Sequence, residues 1–559
     1  MNKVISILFV VLSVISSACT QSERLWVEAE SFKNKGGWVV DQQFIDQMGS
    51  SYLMAHGMGK PVEDAETEIS FDKTGVYYVY VRTYNWTSPW SESKGPGRFQ
   101  LSLNGNVLPV ELGATGNSWM WQSAGSIDVK QKKNKLSLHD LTGFNGRCDA
   151  IYFTMDANDV PVSDCTALNR MRRQMLNLKD TPETIDKYDF VVVGGGIAGM
   201  SAAITAARLG CKVALVHDRP VLGGNNSSEV RVHLGGRIEA GPYTALGNLQ
   251  KEFGPHKGGN AQPGSFYEDG KKMEAVKKEK NITLFASYRA FDAETEGNRI
   301  TKIYIRNIET NKEMALSAPL FADCTGDANL GAMVNAEYRI GRESKAEFNE
   351  PTAPEKADKM TMGASVQWYS REDSAPSSFP KFKYHGGFNE ESSEKVTMGE
   401  WTWETGMNKD QVEEAEYIRD YGLLVVYSNW SFLKNDYSKK EEYANRSLKW
   451  VAYIAGKRES RRLIGDHVLT ENDLVDFVEY PDATGSTTWT IDLHYPDPAN
   501  TLYFADKEFK SICKMKKIHP YPIPYRCLYS KNIENMFMAG RNISVTHVAL
   551  GTVRVMRTT

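Results

Sequence analysis

The chain has no closely spaced cysteines. Its seven, Cys19, Cys148, Cys165, Cys211, Cys324, Cys513 and Cys527, include no C-x-x-C pair. Iron–sulfur clusters, structural zinc and dithiol redox centres usually need such pairs, so the pattern argues against all three. Cys148–Cys165 and Cys513–Cys527 stay open as disulfides in an oxidising compartment, and spacing does not decide them. Cys211 and Cys324 sit in apolar strand contexts and read as buried small hydrophobes. An excess of positive charge is also lacking. The net charge is −4 and the pI about 6.3, so no basic face is forced and nucleic acid is not an expected partner. Long apolar runs are absent save one at the start, too short to be a convincing membrane span. The 559 residues exceed what one core holds, and two or three domains are expected.

The opening run has a basic Lys3, an apolar stretch over 4–15 and small residues Ser16-Ser17-Ala18 before Cys19. That is the layout of an export signal over 1–19. It resembles a bacterial lipoprotein signal, which would make Cys19 a lipid anchor; cleavage after Ala18 to a freely secreted form is the alternative. Either way the mature chain is expected outside the cytoplasm, in the periplasm or at the outer membrane.

From 22 to 157 the texture is all-β. Short alternating runs such as Val76-Tyr-Tyr-Val-Tyr-Val-Arg-Thr-Tyr84 are separated by Gly/Asn turns, and Asn104-Gly105-Asn106 signals a hairpin. A β-sandwich is expected. Its first and last strands, around Trp26-Val-Glu28-Ala-Glu30 and Arg147-Cys-Asp149, resemble those of carbohydrate-binding sandwich modules. The resemblance implies a structural Ca2+ held by Glu28, Glu30 and Asp149, a chemically sensible set for a hard cation; surface carboxylates are the alternative. Trp86, Trp90, Trp119 and Trp121 lie in Gly/Ser/Asn-rich loops, where they either stack on sugar rings or pack against the protein. Residues 158–186 are charged and polar and read as a helical linker.

Residues 187–559 hold the most informative stretch. An apolar run, 190–193, leads into Gly194, Gly196 and Gly199 at G-x-G-x-x-G spacing, then an Ala-rich helix and a second apolar run, 213–216. This strand–turn–helix–strand context is what a dinucleotide site requires. Gly194 permits the tight turn, Gly196 lets backbone approach a pyrophosphate, Gly199 lets the helix pack on the strand, and the helix N-terminus offers unpaired N–H groups. The acid for the adenosine ribose is sought at the end of the second strand, where His217 and Asp218 are the candidates and Asp218 is favoured.

Beyond it, Gly223-Gly224-Asn225, the strand-plus-turn Leu320-Phe-Ala-Asp-Cys-Thr325-Gly326-Asp327, and Ala539-Gly540-Arg541 followed by Gly551-Thr552-Val-Arg554 occur in order. Together these resemble the FAD-dependent oxidoreductases of the glutathione-reductase-like flavoprotein superfamily, more narrowly a family found in bacterial polysaccharide-utilising secretomes, some of them xanthan lyase-like, with heterodisulfide-reductase flavin subunits as distant relatives. The resemblance implies an α/β fold: an FAD-binding Rossmann-like domain with a β-meander (from Arg299 and Lys312) and an inserted substrate region over about 334–532. It assigns FAD to Gly194, Gly196, Gly199, Asp218, Gly223, Gly224, Asn225, Thr325, Gly326, Asp327, Gly540, Gly551, Thr552 and Arg554. It further implies a closing helix whose positive end faces the flavin N1–C2=O edge, with Thr559 falling inside it. Arg541 stands where the family usually has an acid.

In the substrate region, Arg458-Glu-Ser-Arg461-Arg462 reads as a helical run whose arginines clamp a carboxylated sugar or the flavin pyrophosphate, or pair with Glu459. The implied chemistry is oxidation of a carbohydrate or related hydroxylated substrate by hydride transfer to flavin. His547 is the candidate base and His233 the second, with Arg541 and Arg461 holding an oxyanion. A redox-neutral flavin-assisted polysaccharide lyase and a non-enzymatic carbohydrate-binding lipoprotein are the alternatives. The expected partners are a glycan or small-molecule substrate and an electron acceptor.

Overall fold

The computed structural model describes residues 23–237, 239–240, 245–487 and 489–558. The leader and Cys19 lie outside the described residues. Among the described residues no helix is long and apolar enough to cross a membrane. The described cysteines are free, so neither Cys148–Cys165 nor Cys513–Cys527 is bridged.

The first unit is built from alternation. In strand Gly75–Thr83, Tyr77, Val79 and Val81 point one way and are fully buried. They belong to a sheet ordered Arg24–Glu28, Ala150–Thr154, Gly75–Thr83, Met120–Val129. A facing sheet is ordered Ala65–Ser70, Lys133–Asp140, Phe99–Leu103, Asn106–Val107. Its Phe99, Leu101 and Leu103 share one core with those inward residues, which makes a β-sandwich. The hairpin at Asn104-Gly105 has φ of 51° and 81°, the left-handed pair such a turn needs.

Three readings for this unit are refined. Glu28, Glu30 and Asp149 do converge and are buried, but the cation among them is guanidinium, not calcium. Arg172 donates to Glu28 at 2.7 Å and to Asp149 at 2.9 Å, and Arg82 donates to Asp149 at 2.7 Å. Glu28 and Glu30 each keep one oxygen, Oε2, without a hydrogen-bond partner, but the two guanidiniums already supply the positive charge a hard ion would bring. Glu30 is left with Asn311, at 3.0 Å; burial, with Glu28 and Asp149 beside it, pushes its pKa well up. Second, Arg172 comes from the expected linker. That segment is a helix, Cys165–Met175, capped by Asp164, and its Leu168 packs with Trp26 and Trp121. It completes the sandwich as well as connecting it. Third, the loop tryptophans do not form an open sugar platform. Trp86 is fully buried against Phe382 and Tyr427, Trp90 donates to the Tyr417 hydroxyl at 3.2 Å, Trp119 donates to Glu416 at 3.2 Å, and Trp121 packs edge-on against Trp26.

Three of those partners lie on helix Ala415–Asn435, whose burial on nearly every side marks it as a core helix. The sandwich and this helix share an aromatic core through Trp86 and Phe144. Beside it, Arg147 holds Asp420 at 2.6 Å and Glu416 at 2.8 Å, and Arg419 holds Asp41 at 2.7 Å.

The second half is organised by a parallel sheet ordered Ile282–Ala286, Val213–His217, Phe190–Val193, Leu320–Asp323, Met536–Met538. Near-continuous Val/Ala/Leu runs suit strands covered on both faces. The meander Tyr288–Glu296, Arg299–Asn307, Glu313–Ser317 is antiparallel, and Thr184–Ile185 adds to its edge in parallel. Residues 458–461 are not helical. They run between strands Gly456–Lys457 and Arg462–Leu463, which pair with Ala364–Ser365 and Tyr338–Arg339.

Candidate active site

A cavity of about 1110 Å³ lies at the carboxyl ends of the parallel strands. That is at the upper end for a small-molecule site and leaves room for a dinucleotide with substrate beside it. Its floor is backbone. Gly194 has φ +110°, and a Cβ there would sit 2.2 Å from Cys324 O. A Cβ on Gly199 would sit 1.8 Å from Gly194 O, so helix Ile197–Arg208 lies against the strand turn because position 199 has no side chain. Gly223 N–H donates to Gly195 O at 2.9 Å, and Gly196 and Gly223 are bridged. Two glycine loops are thereby stitched into a surface free of side chains, with the first turn of a helix at its edge.

His217 serves this loop. Its Nδ1 accepts from Gly195 N–H at 3.0 Å and its Nε2–H donates to Val221 O at 2.9 Å. Burial, with Arg219 nearby, pushes its pKa down to about 4, which keeps it neutral. Asp218, next in the chain, lines the cavity and accepts from Arg289 at 2.9 Å. Against the desolvation of this half-buried position, Arg289 holds its carboxyl below the usual range.

Across the cavity, Asp323 accepts from the Thr325 N–H and hydroxyl at 3.0 and 2.7 Å and shapes the turn Thr325-Gly326-Asp327. Asp327 accepts from Arg541 at 2.7 Å, Lys457 at 2.8 Å and Ser460 at 2.7 Å. Against the desolvation of its half-buried position, Lys457 and Arg541 keep it well below the usual carboxylate range. Two cations share one acid here. Asn225 donates to Lys457 O at 3.0 Å and also lines the wall, as does Gly540.

The far wall comes from strand Ile491–Pro496. His494 is buried, yet it lines the cavity. Its Nδ1–H donates to Glu404 at 2.7 Å, and its Nε2 accepts from Arg554 at 3.0 Å. The protonation follows from Glu404, a buried carboxylate held down to about 2 by Arg458 and His494 against the effect of burial. Asp492, His494 and Cys513 bring donor atoms within 4.8 Å of one another. The Arg554 guanidinium already bridges two of them, at 3.2 Å to Asp492 and 3.0 Å to His494, so the trio is filled by an internal cation.

Several anticipated residues lie elsewhere or act differently. His547 is not in the cavity wall. It is buried at the start of helix His547–Val553, with Nδ1 on Glu459 at 2.9 Å, and it is set aside as the base. The N-terminal donors of that helix are met by Glu343, which accepts from His547 N–H at 2.9 Å, and by the Thr546 hydroxyl. Its C-terminal side, Arg554 to Met556, borders the cavity. No positive helix end is offered there. Gly551 and Thr552 sit behind the wall, Gly551 against Leu493 and Thr552 bonded to Tyr521 at 2.9 Å. His233 does line the cavity but is exposed; among the described residues its Nδ1 meets Gly259 N–H at 3.4 Å and no carboxylate orients it. Arg461 lines it while paired to Glu413 at 2.8 Å. Arg458 reaches Ser365 at 2.9 Å and Trp401 O, and Arg462 is buried on Glu343 and Gly341 O. The three arginines diverge because the backbone there is extended.

Sequence reasoning missed the Glu404–His494 pair as a unit. One signal was present: in Ile491-Asp492-Leu493-His494 the polar residues alternate, which puts Asp492 and His494 on one strand face. Nothing local marks Glu404.

Over 38 residues, 7% of this chain and 8% of the relative, the sequence is 58% identical to a soluble pyridine nucleotide transhydrogenase of Ectopseudomonas mendocina (strain ymp); the chain thus spans under a tenth of that protein's length. Among solved structures, it is similar to the glycerol-3-phosphate dehydrogenase from Bacillus halodurans complexed with FAD (13% identity, 29% of this chain and 42% of that one, TM-score 0.21). It is similar to the rebeccamycin biosynthetic enzyme RebC with reduced flavin (12% identity, 34% and 38%, TM-score 0.23). It is also similar to CBM35 from Paenibacillus barcinonensis (18% identity, 23% and 98%, TM-score 0.20). Residues 189–559 match the family described as FAD dependent oxidoreductase. The side-chain-free floor, the acid at the second strand end and the surplus cation at Asp327 fit a dinucleotide with a diphosphate. The chain belongs to the FAD dependent oxidoreductase family.

Proposed function

We propose that the protein is an exported enzyme that oxidises a carbohydrate or related hydroxylated substrate in this cavity. The observation that carries the reading is that one cavity joins the glycine floor to a carboxylate-oriented histidine. When bound, FAD supplies the two-electron acceptor for the carbinol carbon. The chain's own groups handle the hydroxyl proton. Glu404 fixes the His494 tautomer, so Nε2 is the atom that takes the proton once the Arg554 N–H it accepts turns to the substrate oxygen, and Glu404 stabilises the imidazolium that forms. Arg554, already on Nε2, is placed to hold the oxygen the proton leaves. Trp401, whose ring lies 5.4 Å from that of His494, and Trp489 give the wall aromatic faces suited to a sugar ring. Export rests on the leader, with Cys19 as a lipid anchor.

The test is anaerobic flavin bleaching by a panel of glycans. His494→Gln should slow bleaching by about 10² to 10⁴-fold while the bound flavin spectrum persists. An unchanged rate removes His494 from the chemistry. Glycan cleavage to an unsaturated product with no net electron transfer would replace oxidation by redox-neutral elimination.

A further inference from the structure

The cavity has a wall the family match does not supply, because residues 42–49 belong to the sandwich. This segment carries the short helix Ile45–Met48 and is tied down on every side. Gln43 donates to Tyr453 O at 2.9 Å and accepts from Ala455 N–H at 3.2 Å. Gln47 donates to Glu413 O at 3.0 Å and Val412 O at 3.3 Å. Arg172 donates to Met48 O at 3.1 Å, and Arg306 donates to Gly49 O.

At the centre of the segment, the Asp46 carboxylate meets Arg289 of the meander. Arg289 Nε donates to Asp46 Oδ1 at 3.0 Å and its NH2 donates to Asp46 Oδ2, while NH1 donates to Asp218 Oδ2 at 2.9 Å. We propose that Asp46 is a positioning residue for the adenosine ribose of the dinucleotide: by occupying one fork of Arg289 it leaves Asp218 with a free oxygen for the ribose hydroxyls. The inference rests on the FAD reading of the site.

A guanidinium facing a lone carboxylate pairs with both of its oxygens through two parallel N–H groups. Arg289 does this side-on with Asp46 through Nε and NH2, and held in that pose it reaches Asp218 through NH1. Asp218 Oδ1 faces the neutral His217 ring, at 3.7 Å, and that ring is already committed to Gly195 and Val221. The side chain of Asp218 is 32% exposed in the cavity wall. It therefore offers an ionised acceptor, anchored on one oxygen and open on the other. Were Asp46 neutral, the full charge of Arg289 would fall on Asp218 and draw both oxygens into one ion pair.

The experiment uses the full chain, stripped of flavin and titrated with FAD and separately with ADP, which carries the same adenosine ribose. Asp46→Asn should weaken both by about tenfold, the scale of one hydrogen bond to a charged group. Asp46→Glu should recover binding to within about threefold of the parent, since it restores the charge. Gln47→Ala cuts a different tie of the same segment and should leave both affinities within about threefold. Parent-like binding by Asp46→Asn overturns the proposal. So does an equal loss in Gln47→Ala, because the segment would then act only as a wall. Loss of FAD affinity without loss of ADP affinity also overturns it, since the effect would lie away from the ribose. A parent that binds neither FAD nor ADP removes the cofactor reading and this inference with it.

Discussion

Two regions of the molecule concentrate arginine, and they balance it in opposite ways. Where the sandwich meets helix Ala415–Asn435, Arg147 and Arg419 are fully buried and face Asp41, Asp420 and Glu416. Carboxylates outnumber guanidiniums there, and burial raises Glu416 to about 7, which trims the excess. In the cavity, Arg541 and Lys457 share Asp327, so cations outnumber acids. The first arrangement is closed on itself. The second leaves positive charge uncompensated beside a floor of backbone amides, which is what an anionic ligand needs. The lesson is that arginine count does not mark a ligand site; the local ratio to carboxylate does.

The largest way to break this comparison is to remove a closed partner. Arg147→Ala should cost about 3–5 kcal/mol, because it leaves buried carboxylates without their cation. Denaturant unfolding checks this, and the loss should shrink in an Arg147→Ala/Asp420→Asn double variant. Next in size is pH. His217 is depressed to about 4 from an ordinary value near 6.5, so between those values the unfolded chain binds a proton the folded chain refuses. Stability from this group is present above pH ~6.5 and falls by about 3 kcal/mol as pH drops through ~4. Half-buried Glu229 and buried Glu350, raised to about 7, have the opposite sign. The measurement is therefore the difference in slope between parent and His217→Asn.

A smaller effect sharpens the open side. Arg541→Met should weaken FAD about tenfold and flatten the salt dependence of its binding, while melting changes little. The smallest is Arg461→Ala. Its partner Glu413 is 66% exposed, so stability should move by less than about 1 kcal/mol.

The parts of the fold readable from the chain were those encoded locally. Gly194, Gly196 and Gly199 act through neighbours a few residues away, and their spacing announced the turn. The alternation of Gly75–Thr83 likewise announced a sheet face. Residues whose meaning depends on a distant surface were left open, misread or missed. Trp86 and Trp119 have loop-like neighbours in sequence, but their solvent is another part of the protein. Glu28 and Asp149 have the chemistry of cation ligands, and only the arrival of Arg172 shows which cation. Arg458 to Arg462 read as helical because charged residues at that spacing suit a helix; pairing with two distant strands keeps them extended.

The burial of Trp86 and Phe144 among the aromatics of helix Ala415–Asn435 has a practical consequence. Cutting the gene near codon 187 to obtain a shorter enzyme would strip the cover from Tyr421 and Tyr427 and leave Asp420 without Arg147, one of its two arginines. Such a fragment should precipitate on expression, and supplying the missing piece as a separate polypeptide should rescue its solubility.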